Sequence, residues 1–279
     1  MIDLRYVHEG AHPPRRRLPT TPEAMREILK TRRFTNGADL DDVLRLYEKT
    51  AIGVLGEVKS LEFIGLQLDP QDEWRSPKRL ARALNYSTNL QRLHLEASGL
   101  TDEHLEEIRN ELMDGALPNL IHLYLMFNRF TARGIETIGA MLAAGSAPRL
   151  QLLSLLGNGQ LGSHGVGILA RVLVSVPVSK HLVYLDVNGS KMGSDAALSL
   201  AGAIRTSGSA LRIALPASLV GVQARAAIIR AREATGEPMD AVEIAISLAY
   251  NAMYPLNKML PVIVASLGRF LESSYQDQR

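Results

Sequence analysis

Apolar residues return along this chain in one fixed phrase: apolar, two variable positions, apolar, one variable, apolar, two variable, then Asn or Ser. The phrase is clearest at Leu90, Leu93, Leu95, Ser98, Leu100 and at Leu120, Leu123, Leu125, Asn128, Phe130. It returns at Leu150, Leu153, Leu155, Asn158 and at Leu182, Leu185, Val187, Ser190, Met192. Weaker copies flank these four, at Val58, Leu61, Phe63, Leu66, Leu68 and at Ala210, Ile213, Leu215, Ser218, Val220. Starting at residues 58, 90, 120, 150, 182 and 210, the copies are 32, 30, 30, 32 and 28 residues apart. Alternation in steps of two predicts a short strand in each copy. The stretch after the Asn or Ser changes period. Gly134, Ile135, Ile138, Met141 and Leu142 repeat at helical spacing, as do Gly165, Val166, Ile168, Leu169, Val172 and Leu173, then Leu198, Leu200, Ala201 and Ile204. Leu105, Ile108 and Leu112 mark the same face one copy earlier. Such units cannot bury an apolar face alone and must stack on their neighbours.

One strand and one true helix in about thirty residues resembles the leucine-rich repeat, in its ribonuclease-inhibitor-like subclass. The resemblance covers roughly Val58 to Thr235. It implies an α/β solenoid with a parallel sheet on the concave face, helices on the convex face and helical caps at both ends. The expected organisation is an extended basic arm over 1–21, an amino-terminal helical cap over 22–57, an array of about six repeats over 58–235 and a carboxyl-terminal helical cap over 236–279.

In the amino-terminal cap, Thr21 is placed to cap a helix opening Pro22-Glu23, and a second helix follows Asn36-Gly37, with its apolar face at Leu40, Val43, Leu44 and Tyr47. At the other end, Met239–Leu248 and Pro261–Leu271 read as further helices with more apolar residues than a cap needs, so part of that surface is expected to dock against another subunit.

Strand alternation also maps the concave face. Residues at equivalent variable positions lie about 4.8 Å apart on successive strands. The third positions form the row Ser60, Arg92, His122, Leu152, Tyr184, Arg212. The fifth form Glu62, His94, Tyr124, Ser154, Asp186, Ala214, and the seventh Ile64, Glu96, Met126, Leu156, Asn188, Pro216. Met126, Leu152 and Leu156, with Tyr124 and Phe127, are expected to make an exposed apolar centre, ringed by Arg92, Glu62, Glu96, His94, Asp186 and Arg212. Apolar patches with polar rims mark protein-binding surfaces. The expected partner-binding set is therefore Arg92, His94, His122, Tyr124, Met126, Phe127, Leu152, Leu156, Tyr184 and Asp186. The competing arrangement folds a terminal cap of the same chain over this face.

Composition narrows the chemistry. Cysteine is absent, which excludes disulfides and thiolate metal sites. Net charge is only +2, so the chain as a whole does not demand nucleic acid or an anionic surface. The basic excess is local: residues 1–33 hold eight Lys or Arg against four acids, including Arg15, Arg16 and Arg17. That arm is the expected contact for RNA or an acidic filament, if the chain has one. No secretory signal core or uninterrupted membrane span is legible, and a cytoplasmic setting is expected, with a mitochondrial one left open.

Two motifs invite enzymatic readings. Gly157-Asn-Gly159-Gln-Leu-Gly162 matches a dinucleotide-binding fingerprint, but Asn158 stands in phase with Asn128, which assigns the glycines to the repeat. Ser154, Asp186 and His122 combine hydrolase residue types on what is expected to be an open, shallow sheet without an oxyanion site. His104 and His164 are expected to be exposed at helix starts. No cofactor, metal, small-molecule substrate or membrane insertion is expected. The function expected is a non-enzymatic interaction scaffold or subunit of an assembly, with protein partners. Three other readings remain. One is a GTPase regulator similar to the Ran-activating proteins, although the acidic tail of those proteins is missing. Another is a ubiquitin-ligase substrate receptor, from a distant F-box similarity at Leu18-Pro19, Glu23, Ile28 and Leu29. The third is filament or RNA contact through the arm.

Overall fold

The computed structural model describes residues 18–32, 37–175, 181–207, 211–215 and 222–234. Six strands alternate with helices: β1 (Ser60–Glu62), β2 (Arg92–His94), β3 (His122–Tyr124), β4 (Leu152–Ser154), β5 (Tyr184–Asp186) and β6 (Arg212–Ala214). They form one parallel sheet in sequential order. The helices α3 (Pro77–Tyr86), α4 (Asp102–Glu111), α5 (Ala132–Ala143), α6 (Gly162–Ser175), α7 (Ser194–Ser207) and α8 (Val222–Glu233) pack side by side in chain order. This is the α/β solenoid the phrase predicts. The pairing register runs Ser60, Arg92, His122, Leu152, Tyr184, Arg212 across all six strands, so the third- and fifth-position rows are real lines of side chains.

The residues of the phrase make one continuous core. Leu90, Leu93, Leu95 and Leu100 are buried with their counterparts Leu120, Leu125 and Phe130, Leu150, Leu153 and Leu155, and Leu182, Leu185, Val187 and Met192. Helical residues Leu105, Ile108, Ile135, Ile138, Val166, Leu169, Leu200 and Ile204 close the other side. Each fully buried Leu or Ile contributes about 1.5–3 kcal/mol relative to an exposed one.

The polar punctuation holds successive units together. Asn128 Oδ1 accepts from the Ser98 and Leu100 amides, both at 3.1 Å, while its Nδ2 donates to the Leu95 and Leu125 carbonyls at 2.8 and 3.1 Å. Asn158 repeats this one unit on, accepting from the Asn128 amide at 3.1 Å and donating to the Leu125 and Leu155 carbonyls at 2.9 Å. Asn has a donor and an acceptor on one short arm, so it satisfies turn groups that the strands leave unpaired. The glycine-rich motif at Gly157–Gly162 contains this ladder residue, buried, and its repeat assignment stands. A second link was not legible in the sequence: Asp102 in α4 accepts from the Thr131 amide and hydroxyl at 2.8 and 2.7 Å, tying one helix start to the next.

Before the array, α1 (Pro22–Lys30) and α2 (Gly37–Glu57) pack on each other and α2 on α3. Thr21 caps α1 through the Ala24 amide, as expected. The second helix begins at Gly37 rather than after it, and its Ala51 and Leu55 are buried, while Val43 of the expected apolar face is exposed, as is Leu46. The chain ahead of α1 is stitched to the first repeat. Leu18 is buried, its amide donates to the Trp74 carbonyl at 3.1 Å, and Arg79 reaches the Pro19 carbonyl and Thr20 hydroxyl while lying over the Trp74 ring. The arm residues Arg15, Arg16 and Arg17 and the expected carboxyl-terminal cap lie outside the described residues.

Candidate functional site: the concave face and its rim

Each strand is only three residues long, yet main-chain pairing continues past it. The Gly65, Ala97, Phe127 and Gly157 amides donate to the Glu96, Met126, Leu156 and Asn188 carbonyls of the following repeat, at 2.8 or 2.9 Å. At this same phase the backbone turns into the left-handed region. Gly65, Ala97, Phe127, Gly157 and Gly189 have φ of 69°, 51°, 55°, 75° and 72°. Three repeats place glycine there and one alanine. Phe127 is the exception, because a bulky side chain in this conformation costs about 1–2 kcal/mol.

The strain carries an aromatic ring to the edge of the concave face. Phe127 is 38% exposed, and its ring lies over Gly157 in the next repeat, where an added Cβ would run into it. Half-buried Leu152 and Leu156 lie on the same following repeat, and the Phe127 amide is bonded to the Leu156 carbonyl. The sequence carries a signal for this arrangement: glycine recurs at the phase that Phe127 fills.

The centre of the face differs from the expectation of an exposed apolar patch. Tyr124 is 2% exposed and Met126 1%. They are core-like residues on the concave side, and so are Glu96, Ser154 and Asp186. His94 stacks on Tyr124 with ring centroids 4.4 Å apart and hydrogen-bonds to Glu96 at 2.9 Å. His122 meets the Tyr124 ring edge-on at 6.1 Å. Of the predicted set, Arg92 and Phe127 are exposed and His94, His122, Leu152, Leu156 and Tyr184 are partly so. Tyr124, Met126 and Asp186 offer a partner no surface as they stand.

Burial sets the electrostatics of this cluster. It pushes the Tyr124 hydroxyl up to about 12, with the Glu96 carboxylate adding to the effect. It raises Asp186 above the usual carboxylate range, against the opposing hydrogen bond from the Asn188 amide at 2.9 Å. It lowers His122, helped by the charges of Arg92 and His94.

Of the hydrolase residue types, Ser154 and Asp186 are therefore buried and His122 is half-buried, rather than all lying on an open sheet. Ser154 and Asp186 are paired across β4 and β5, but Ser154 Oγ has no hydrogen-bond partner, so the nucleophile–base contact of acyl transfer is not made. His104, expected in solvent, is buried in the first turn of α4; His164 is exposed. Among the described residues no group of three metal-binding side chains occurs, and no helix is long and apolar enough to cross a membrane.

A protein-family profile described as leucine-rich repeat matches residues 116–139, the stretch spanning β3, the Asn128 turn and most of α5. No curated protein matches the sequence. Among solved structures, the chain is similar to the tropomodulin C-terminal domain of Caenorhabditis elegans, with 17% identity over 67% of this chain and 92% of that one and a TM-score of 0.37. It is also similar to a structure of leiomodin-1 actin-binding site 2, with 12% identity over 68% and 89% of the two chains and a TM-score of 0.37.

Proposed function

We propose that this leucine-rich-repeat protein is a non-enzymatic protein-interaction scaffold that holds a protein partner at the rim and inner surface of its concave sheet. The observation that carries the reading is Phe127. A half-exposed aromatic is kept in a left-handed conformation at a phase where neighbouring repeats use glycine or alanine. Backbone strain of this kind persists only where the surrounding structure over-determines it, and it clusters at functional sites. Phe127, Leu152 and Leu156 supply an apolar seat, and Arg92, His94 and Tyr184 a polar rim, which is the anatomy of a protein–protein contact. The matching partner element presents an apolar side chain to Phe127 and a carboxylate to Arg92.

The test is affinity capture of the tagged full chain from its own cells, beside a Phe127→Gly/Leu156→Ser variant. A stoichiometric protein set lost in the variant, with its circular dichroism and unfolding midpoint retained, supports the scaffold. Partners that persist in the variant move the contact away from this face.

A further inference from the structure

We propose that Arg92 and His122 clamp one carboxylate of an acidic peptide segment on the partner, and that His122 takes up a proton from solvent as the clamp closes, so that binding tightens with falling pH. The proposal rests on the scaffold reading above and supplies its partner chemistry.

Arg92 and His122 are register partners on β2 and β3, directly opposite each other in the third-position row. A spacing of about 4.8 Å lets one carboxylate sit between a guanidinium and an imidazole. Arg92 is exposed, and among the described residues its side chain makes no hydrogen bond or ion pair. His122 is half-buried; its Nδ1 is enclosed without a hydrogen-bond partner, so Nε2 is the nitrogen left to meet a ligand. The acids of this face are otherwise placed. Glu96 hydrogen-bonds to His94 and Asp186 accepts the Asn188 amide, each at 2.9 Å, while Glu62 is exposed on β1 opposite His94.

Beyond His122 the same row runs on to half-buried Leu152. A peptide lying along it meets positive charge first and the apolar seat of Leu152, Leu156 and Phe127 about 7–10 Å later, a span of two to three extended residues. The complementary segment therefore carries Asp or Glu about two or three positions from a large apolar residue. A nucleic-acid strand also offers an anion, but its phosphates recur along the backbone and would lie over Leu152 and Leu156. A peptide is the better occupant.

The proton follows from the surroundings of His122. Burial lowers its pKa in the free chain, and the charges of Arg92 and His94 add to the effect. The titratable and charged groups around it are Arg92, His94 and Glu96 on the β2 side and Tyr124 on its own strand, with Asp186 two strands away beyond Ser154. No carboxylate among them is hydrogen-bonded to His122. A partner carboxylate against Nε2 reverses the balance, because an opposite charge favours the protonated ring and offsets Arg92. The pKa is then higher in the complex than in the free chain, and the complex holds the extra proton. Affinity rises as pH falls through the bound value and levels off below the free one, which lies under about 6.5.

The test selects a displayed library of random dodecapeptides on the immobilised full chain at about pH 6, and measures synthetic copies of the enriched peptides by fluorescence anisotropy. Enriched peptides should share the acid-to-apolar spacing and bind about threefold or more tighter at pH 6 than at pH 8. Affinity should fall about tenfold or more with Arg92→Gln, or when the peptide acid is replaced by its amide. His122→Gln should still bind and lose the pH dependence; circular dichroism checks that both variants are folded. In histidine NMR of the full chain, with the signal assigned by its absence from His122→Gln, the His122 midpoint should rise by about one pH unit on saturation with peptide.

Enriched peptides without an acid, no enrichment over a blank surface, a pH dependence that survives His122→Gln, or a His122 midpoint that stays or falls overturns the proposal. Displacement of the peptide by an equal concentration of oligouridylate overturns it in favour of nucleic acid. Cellular partners lost in Phe127→Gly/Leu156→Ser, yet held equally at pH 6 and pH 8 by the unaltered chain, leave the scaffold standing and remove the clamp. Acidic peptides held with the expected pH dependence, combined with partner retention by that variant, leave the clamp standing and remove the scaffold reading.

Discussion

Phe127 and Asn128 are adjacent in the chain and answer to different demands. Asn128 is buried, and every polar atom of its side chain pairs with a backbone group, in a pattern Asn158 repeats. Phe127 is partly exposed, holds a conformation better suited to glycine, and has no counterpart at its phase in any other repeat. The first position serves stacking and so must recur. The second is free of that requirement, and a residue that strains the backbone there points to a use outside the fold.

Breaking the ladder should have the largest effect. Asn128→Ala strands the Ser98 and Leu100 amides and takes a donor from the Leu95 carbonyl, while the Leu125 carbonyl keeps Asn158 Nδ2; with unsatisfied buried groups costing about 1–3 kcal/mol each, a loss of roughly 3 kcal/mol or more is expected in urea unfolding. A loss below ~1 kcal/mol would mean that the turn is held chiefly by packing. The next largest effect concerns Gly157. Gly157→Ala adds a Cβ in the left-handed region and against the Phe127 ring, so a loss of about 1–3 kcal/mol is expected. In a Phe127→Gly background the collision is gone and the loss should shrink, a coupling that a double-mutant cycle reads directly.

The concave cluster yields smaller, pH-dependent effects. Asp186 has a raised folded-state pKa, so the unfolded chain releases its proton first and stability falls as pH rises from about 4 through the folded value. Asp186→Asn keeps an acceptor for the Asn188 amide and removes that penalty. Its Tm should exceed wild type at pH 7 and the gain should vanish near pH 3; a variant less stable at both would contradict the burial argument. His122 has a lowered folded-state pKa, so the unfolded chain takes up a proton first as pH falls below about 6.5, and stability falls with it. His122→Gln should flatten the decline of Tm between pH 7 and 5.

How much of this was legible follows from the same contrast. Residues such as Leu93, Leu123 and Leu153 face one repeated environment, so their spacing declared strands, register and solenoid together. The rows of variable residues followed from that register. Their exposure did not: Tyr124 and Met126 have the right phase for a surface and are buried, because exposure depends on which side chains happen to neighbour a position, such as the His94 ring stacked on Tyr124, and those do not repeat. The Asp102–Thr131 link was equally hidden, since an Asp at a helix start reads as a solvated first-turn acid. Tyr124→Asp would consequently place a charge in a buried cluster, which makes it a poor probe of binding.

The most direct measurement is a paired one on Phe127→Gly and Asn128→Ala in the full chain: urea unfolding midpoint and retention of captured partners. The account predicts that Phe127→Gly stays within about 1 kcal/mol of wild type, because relieved strain offsets lost packing, yet loses its partners, while Asn128→Ala loses stability. A Phe127→Gly chain that keeps its partners, or that unfolds as readily as Asn128→Ala, would show that Phe127 belongs to the fold and not to a binding surface.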